Sequence, residues 1–415
     1  MNKIWLIAFL TTLLPFQALA TESDFKFSGK LETFGAGYFE RSPSKENAFG
    51  EARLLPKINW TPNENWRLIL EGDFRVDTND IALGFIDRQT EKDHRWFIDV
   101  RESYLEYKDN NLRIRTGKQI FEWSVTDTVS PSDNLNPRDW LDFVKVRDKI
   151  GVPSTSLKFG NDTFIETVFV PWLTNSRLPS GTQRWSKELT ANIDYLPAKD
   201  YMDYEPQFGT RIGTNINGFD LGASYYEGFS YSPHYQLLPT SSTTARLRPI
   251  HHSEKVIATT MAKSLGVYNL RSEVGYFEQK TSDNFLQVVV GVDREWTDVW
   301  NETDSLYVLL QSSKSFITKD HNSVAGTYDF RRVLDDAIMC KIKYTPSDSS
   351  TWSWGAEGSY NFAKHDWFIE PNVAKKFGSS VSAKLAMDFM GGPDSSFFGG
   401  YNNNNRATVV VTWFF

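Results

Sequence analysis

Apolar and polar side chains alternate along most of this chain. In 66–76, Trp66, Leu68, Leu70, Phe74 and Val76 fall on one face, and Arg67, Glu71, Asp73 and Arg75 on the other. A period of two is the pattern of a strand with one apolar and one polar side. It recurs in 381–389, where Val381, Ala383, Leu385, Met387 and Phe389 oppose Lys384 and Asp388. In 352–362, Trp352, Trp354, Ala356, Tyr360 and Phe362 oppose Glu357 and Asn361. Such segments are predicted at 23–40, 50–60, 66–76, 96–108, 112–121, 153–160, 163–172, 208–217, 219–228, 253–264, 268–279, 284–296, 303–314, 334–345, 352–363, 366–378, 380–389 and 404–415. That makes about eighteen strands, with about sixteen as the alternative count.

The links between them differ in length by turns. After even-numbered segments they are short, as at 61–65, 109–111, 161–162, Gly218 and 346–351; after most odd-numbered ones they are long, as at 77–95, 122–152, 173–207, 229–252, 315–333 and 390–403. Short turns at one end and long loops at the other, with an even strand number, imply an all-β fold: a transmembrane antiparallel β-barrel with short periplasmic turns and long extracellular loops. Closure also removes the edge strands that so long an antiparallel series would otherwise expose. Trp60, Trp66, Trp96, Trp123, Trp172, Trp296, Trp352, Trp367 and Trp413 lie near segment ends and fit two interfacial girdles.

The ends of the chain agree with this reading. Residues 1–20 carry Lys3, an apolar run from Ile4 to Leu14 and a small-x-small end at Ala18 and Ala20, the layout of a secretory signal peptide cleaved after Ala20. Residues 21–415 are then the barrel. In the last segment Ala407, Val409, Val411, Trp413 and Phe415 form one apolar face against Arg406, Thr408 and Thr412. A final strand of this kind, ending in Phe415, resembles the sequence that bacterial outer-membrane barrels present to their insertion machinery. The implied location is the outer membrane of a Gram-negative bacterium, with its lipid and lipopolysaccharide as partners.

Composition narrows the function classes. With 45 Lys+Arg against 52 Asp+Glu, a net charge of −7 and no basic block, nucleic acid is not expected as a partner. Cys340 is the single cysteine, so neither an internal disulfide nor a Cys/His zinc site can form. No cofactor or metal is expected, since no phosphate loop, Ser elbow or dinucleotide fingerprint is present. Cys340 alternates with Ile338 and Ile342 and reads as a small lipid-facing residue.

Charge on the lipid side is costly, by about 2–4 kcal/mol at the midplane, so the charged face of each strand lines the lumen. This assigns to the lumen the basic residues Lys26, Lys30, Arg53, Lys57, Arg67, Arg75, Arg113, Arg115, Lys158, Arg211, Arg271, Lys341, Lys343, Lys384 and Arg406. The acidic set is smaller: Glu32, Glu71, Asp73, Glu166, Glu273, Asp293, Glu357 and Asp388. A surplus of base inside an acidic protein predicts a path that favours anionic solutes. The bland reading, mutual pairing of wall charges, accounts for some of them. In 97–108 either phase turns charge outward, so Arg101, Glu102 and Glu106 stay unassigned, and a bulge is one way out.

The long link 122–152 contains Pro131, Asn134, Asn136 and Pro137 and is expected to be a structured loop that folds into the barrel as a constriction, with Glu122, Asp127, Asp133, Asn136, Arg138 and Asp139 in it. Gly117, Lys118, Gln119, Trp123 and Asp127, followed by Asn136, Pro137, Arg138 and Asp139, resemble a motif of a proteobacterial outer-membrane barrel family related to the alginate-export type. The likeness covers 101–139; Ser124 stands where the family has Gly. It implies an arginine-rich lumen, with Gln119 beside the basic wall residues as a solute-contacting position. The alginate substrate does not transfer.

The expected function is therefore a channel or exporter for a small or polymeric anionic solute, not an enzyme. The alternatives are a plugged or non-conducting surface barrel acting as an adhesin or structural protein and, less favoured, an enzyme with a site at the extracellular rim. His94, His234, His251, His252, His321 and His365 all fall in expected loops, which excludes a wall-mounted Ser/His pair and leaves His365 with Asp366, or His251 and His252 with Glu254, as rim candidates.

Overall fold

The computed structural model describes residues 24–78, 98–144, 148–179, 183–186, 193–195, 206–231, 234–239, 241, 245–280, 282–320, 329–347 and 350–415. The signal-peptide segment 1–20, Trp96, His94 and His321 lie outside the described residues. The chain begins with β1 (Asp24–Tyr38), β2 (Ala48–Thr61), β3 (Trp66–Asp77), β4 (Ile98–Asp109), β5 (Leu112–Gln119), β6 (Val152–Gly160) and β7 (Phe164–Val170). Next come β8 (Ile193–Tyr195), β9 (Gln207–Ile216), β10 (Phe219–Phe229), β11 (His234–Pro239), β12 (Ala245–Ile250), β13 (Ser253–Leu265), β14 (Tyr268–Gln279) and β15 (Asn284–Thr297). The last are β16 (Ser305–Lys319), β17 (Ala337–Thr345), β18 (Trp352–Asn361), β19 (Asp366–Phe377), β20 (Val381–Gly391) and β21 (Arg406–Phe414).

Eighteen of these strands form one sheet in which each pairs antiparallel with the next, and β1 closes on β21. The fold is a closed transmembrane β-barrel. At the seam the Gly29 N–H donates to the Phe415 carbonyl at 2.8 Å and the Phe415 N–H returns to Gly29 O at 3.0 Å. Short β8, β11 and β12 form a separate three-stranded sheet. These three segments fall in the expected loops 173–207 and 229–252, because a sheet built from residues far apart has no signal in any single window.

One end of the barrel carries tight turns. Asn217 (φ 53°) and Gly218 (φ 73°) both adopt positive φ between β9 and β10, the conformation of a two-residue hairpin turn. The other end carries the long loops. Between the two ends the outer wall is apolar: Ile257 is 58% and Leu385 56% exposed, as are Leu70, Phe74, Val290, Leu310 and Val409 in part. A continuous apolar surface of this size is stable only against lipid. Trp60, Trp66, Trp352 and Trp413 ring the turn end, and Trp172 and Trp367 the loop end. Trp123 corrects the girdle assignment, since it is buried inside the barrel in the loop after β5.

The ambiguous strand β4 is resolved by a bulge. Glu71 faces Glu102 while the next residue, Gly72, faces Val100, so Arg101 is the extra residue. That one-residue step changes the phase. Ile98, Val100 and Leu105 are thereby exposed on the outer wall, Arg101 reaches Glu71 at 2.9 Å, and Glu106 is buried beside Arg115.

Candidate functional site

The feature that shapes the lumen is the loop 120–151 between β5 and β6. It leaves the wall at a bend that only glycine fits: Gly117 has φ +132°, and a Cβ there would strike the Ser103 carbonyl. Gln119 then locks β5 to β6, donating to the Ser154 carbonyl at 3.0 Å and accepting from Ser156 Oγ at 3.1 Å. Asn136 closes the base of the loop. Its Oδ1 accepts from the Phe121 N–H at 2.7 Å, and its Nδ2 donates to the carbonyls of Gln119 and Ile150 at 3.1 and 2.9 Å. The residues of the sequence motif thus make the staple of the loop, and Gln119, 1% exposed, is structural rather than solute-contacting.

Beyond the staple the loop crosses to the far wall. Glu273 on β14 is fully buried and accepts from Ser124 Oγ, the Val125 and Thr126 N–H groups and Thr126 Oγ1 on one oxygen, at 2.6–2.9 Å. Its other oxygen accepts from the Ser132 N–H at 3.1 Å and Ser132 Oγ at 2.7 Å. Trp123 and Leu135 press on Gly209, and Pro131 on Gly275, where a side chain would collide with them. Val168, Val170, Tyr226, Val256, Phe277 and Phe285 join Phe121, Trp123 and Leu135 in one buried cluster. Near the loop end the inner wall is therefore apolar too, which strand alternation alone assigns to lipid.

The basic residues assigned to the lumen are, for the most part, ion-paired. Arg53 binds Asp73 at 2.6 Å and Asp148; Lys57 binds Glu71 at 2.9 Å; Arg75 binds Asp139 at 2.9 Å, Asp73 at 3.4 Å and Glu51 at 3.7 Å. Arg115 binds Glu106 at 2.5 Å, Arg211 binds Glu166 at 2.7 Å, and Arg271 bridges Asp127 at 2.9 Å and Asp293 at 2.8 Å. Lys341 lies 3.9 Å from Glu357, Lys384 pairs with Glu370, and Arg406 joins Asp388 at 2.5 Å to Asp142 at 2.6 Å. Lys30 sits on Glu32 and Lys26 on Asp24.

The large basic surplus is thus corrected. Loop acids such as Asp127, Asp139, Asp142 and Asp148 fold inward, and wall acids such as Glu51, Glu106 and Glu370 also face the lumen. A smaller basic group stays at the turn end, where Asp220 on the vestibule lining is an acid in no ion pair with a described residue. Arg113 and Lys158 face each other across β5 and β6, Arg67 donates to the Asn59 side-chain oxygen at 2.8 Å, and Lys343 lies near the end of β17. None of these four ion-pairs with a described residue; Lys158 sits over the Phe164 ring at 3.6 Å.

Within the loop Asp133 pairs with Arg138 at 3.0 Å and with Lys149, which also reaches Glu122 at 2.6 Å. Asp139 binds Arg75 and also Arg177 at 3.1 Å. Burial alone would raise its pKa, but the two guanidiniums prevail and hold it at about 2. Asp148 is likewise buried yet lowered, chiefly by Arg53. Arg177, whose partners Asp99 and Asp139 lie on other elements, and Lys149, whose partners Glu122 and Asp133 are brought to it by the fold of its own loop, carry no signal in the sequence. Of the rim candidates, Asp366 accepts from the Phe398 N–H at 2.8 Å and Glu254 is taken by Arg331 at 2.8 Å, while His365 contacts Tyr360 and His251 the Ser230 carbonyl.

Two water-accessible spaces meet at the loop. A chamber of about 450 Å³ on the loop side is lined by Glu122, Ser124, Asp127, Phe143, Tyr307 and Lys341, among others. A vestibule of about 740 Å³ on the turn side is lined by Glu122, Ser124, Phe164, Arg211 and Asp220, among others. Glu122 and Ser124 line both, so the loop at these residues lies between the two spaces. Above the chamber Phe143 makes ring contacts with Phe330 (5.2 Å), Phe397 (5.3 Å), Tyr401 (5.6 Å) and Trp185 (5.9 Å), joining four loops.

No family model matches the chain, and no curated protein matches it. Solved structures do. Acinetobacter baumannii OccAB1 is similar over 96% of this chain and 97% of its own, with 10% identity and a TM-score of 0.53. Pseudomonas aeruginosa OccK3 (OpdO) is similar over 94% of this chain and 96% of its own, with 8% identity and a TM-score of 0.52. At these identities the likeness is one of fold. None of these comparisons supports the alginate-export resemblance.

Proposed function

We propose that this chain is a diffusive channel of a Gram-negative outer membrane, passing small polar solutes with a preference for anions. The observation that carries the reading is the pair of spaces on either side of Glu122 and Ser124 inside a closed barrel. The lipid-compatible outer wall, the loop and turn asymmetry and the terminal Phe415 support the location, with lipid and lipopolysaccharide around the wall and the insertion machinery reading the last strand. The tight turns then face the periplasm and the long loops the exterior.

The anion preference rests on Arg67, Arg113, Lys158 and Lys343 at the periplasmic end. Their unpaired charge lowers the electrostatic barrier to an anion, while the paired residues hold the wall and loop in register. The aromatic contacts around Phe143 favour a small solute over a polymer, which would have to part four packed loops to enter.

Swelling of liposomes carrying the protein tests this reading. Faster entry of a small carboxylate than of an ammonium ion of equal size is expected. Equal or reversed rates refute the anion preference, and no swelling with either refutes the channel in favour of a surface or structural barrel.

A further inference from the structure

We propose that the outer wall at the turn end, on the sector from β13 to β19, binds the phosphate of an anionic phospholipid. The inference goes beyond the channel reading and draws on it only for orientation, since turns that face the periplasm put this sector in the inner leaflet. Among the described residues of these strands, three charged side chains stand on the turn-end half of the outer face: Lys263 on β13, Arg294 on β15 and Lys375 on β19. Each alternates in phase with an exposed apolar residue, Lys263 with Ile257, Arg294 with Val290 and Lys375 with Ile369. All three are basic, and none ion-pairs with a described residue. At the loop end of the same face the bases are paired instead, Lys255 with Glu227 at 3.4 Å and Lys314 with Asp336 at 3.2 Å.

Aromatic rings hold these cations at the depth of the headgroups. Arg294 lies over Trp296 at 4.5 Å and Tyr268 at 4.9 Å, Lys375 over Trp352 at 4.4 Å and Phe377 at 5.1 Å, and Lys263 over Phe219 at 4.4 Å. Trp and Tyr settle at the membrane interface, where a Lys or Arg on the lipid side costs little. The Arg294 site is the most developed. Its Nη1 donates to Tyr268 Oη at 2.8 Å, so the hydroxyl accepts there and keeps its own proton for an incoming oxygen, on a side chain 43% exposed. A guanidinium held in place beside a phenol O–H suits the several oxygens of a phosphate. Net charge decides which headgroup. A zwitterionic one would bring its ammonium beside these cations, with no carboxylate on the same part of the face to receive it; Asp298 and Glu302 lie in the turn beyond the end of β15. An anionic headgroup brings only the phosphate charge.

Native mass spectrometry of the full chain, released from nanodiscs of equal parts phosphatidylglycerol and phosphatidylcholine, tests this by counting the lipids that stay bound. Phosphatidylglycerol is expected to be retained about fivefold over phosphatidylcholine. Arg294→Gln is expected to remove most of that preference and Lys375→Gln part of it, whereas Lys255→Gln, at the loop end, should leave it unchanged. Lys375 stands on a different strand, so its variant keeps the test valid if Arg294→Gln does not fold. Equal retention of the two lipids, a preference indifferent to Arg294→Gln and Lys375→Gln, or an equal loss in Lys255→Gln would overturn the site. Displacement of the lipid by millimolar glycerol phosphate would assign the contacts to a free phosphate, and displacement by an equal amount of lipopolysaccharide would assign them to the other leaflet; either result overturns the proposal. Nanodiscs offer the same lipids on both sides, so the outcome does not depend on which way the barrel is inserted. Bilayer recordings on the same samples separate this claim from the channel. Phosphatidylglycerol retention by a protein that is silent in a bilayer keeps the lipid site and removes the channel; conductance without lipid preference does the reverse.

Discussion

Glu273→Ala should release the constriction loop while leaving the barrel intact. The wild-type carboxylate receives three backbone N–H groups, from Val125, Thr126 and Ser132, together with three hydroxyls. The hydroxyls have other acceptors at hand, since Ser124 Oγ lies 2.8 Å from the Thr126 carbonyl and Thr126 Oγ1 lies 2.7 Å from the Val129 carbonyl. Of the N–H groups only that of Thr126 has one, Ser124 Oγ at 3.1 Å, so those of Val125 and Ser132 are orphaned. A bond to a charged acceptor contributes about 1.5–3 kcal/mol, and an orphaned buried donor costs about 1–3 kcal/mol. Water entering from the adjoining chamber recovers part of this, leaving about 4 kcal/mol, or about a thousandfold shift toward the undocked loop. Glu273→Gln keeps one acceptor oxygen but turns an NH2 group on donors, so its effect should be intermediate. Limited trypsin digestion reads the change at Arg138 and Lys149, which ion pairs now hold in place, and single-channel conductance should rise in parallel. A Glu273→Ala protein with wild-type conductance and a loop equally resistant to trypsin would refute the reasoning.

Two further outcomes follow from the loop and its hinge. The Asp139 carboxyl, lowered from 3.8 to about 2 in the folded state, contributes about 2 kcal/mol that is fully present above pH about 4 and lost as pH falls through about 2. Loop protection against an acid-stable protease should fall over that window, and Asp139→Asn should show the weakened state already at neutral pH. Gly117→Ala, forced into φ +132° against the Ser103 carbonyl, should cost about 2 kcal/mol or more, read as a lower unfolding temperature on heat-modifiability gels; an unchanged temperature would remove the hinge role.

Most of the wall was legible in the sequence, because a strand between water and lipid must alternate and its neighbours must pair locally. Every alternating segment became a barrel strand, and even the failure at 97–108 marked a real irregularity, the bulge at Arg101. The interior was less legible. Alternation states which face a residue occupies but not which loop comes to meet it, so it places Arg75 in the lumen with wall acids as its only foreseeable partners and gives no sign of Asp139 from the loop after β5. Inward apolar residues such as Val168 and Phe277, both fully buried, were hidden for the same reason. The motif from Gly117 to Asp139 was visible as a pattern, yet its work as a staple depends on Asn136 meeting Phe121 and Ile150 in space.

The proposed conducting, anion-preferring path runs through the barrel past Glu122. Reversal potential across a salt gradient, recorded from single channels of the wild type and of Arg113→Ala combined with Lys158→Ala, tests it most directly. Discrete conductance steps with anion selectivity that the double variant weakens are expected. A silent bilayer, or a cation-selective pore indifferent to both substitutions, would contradict it.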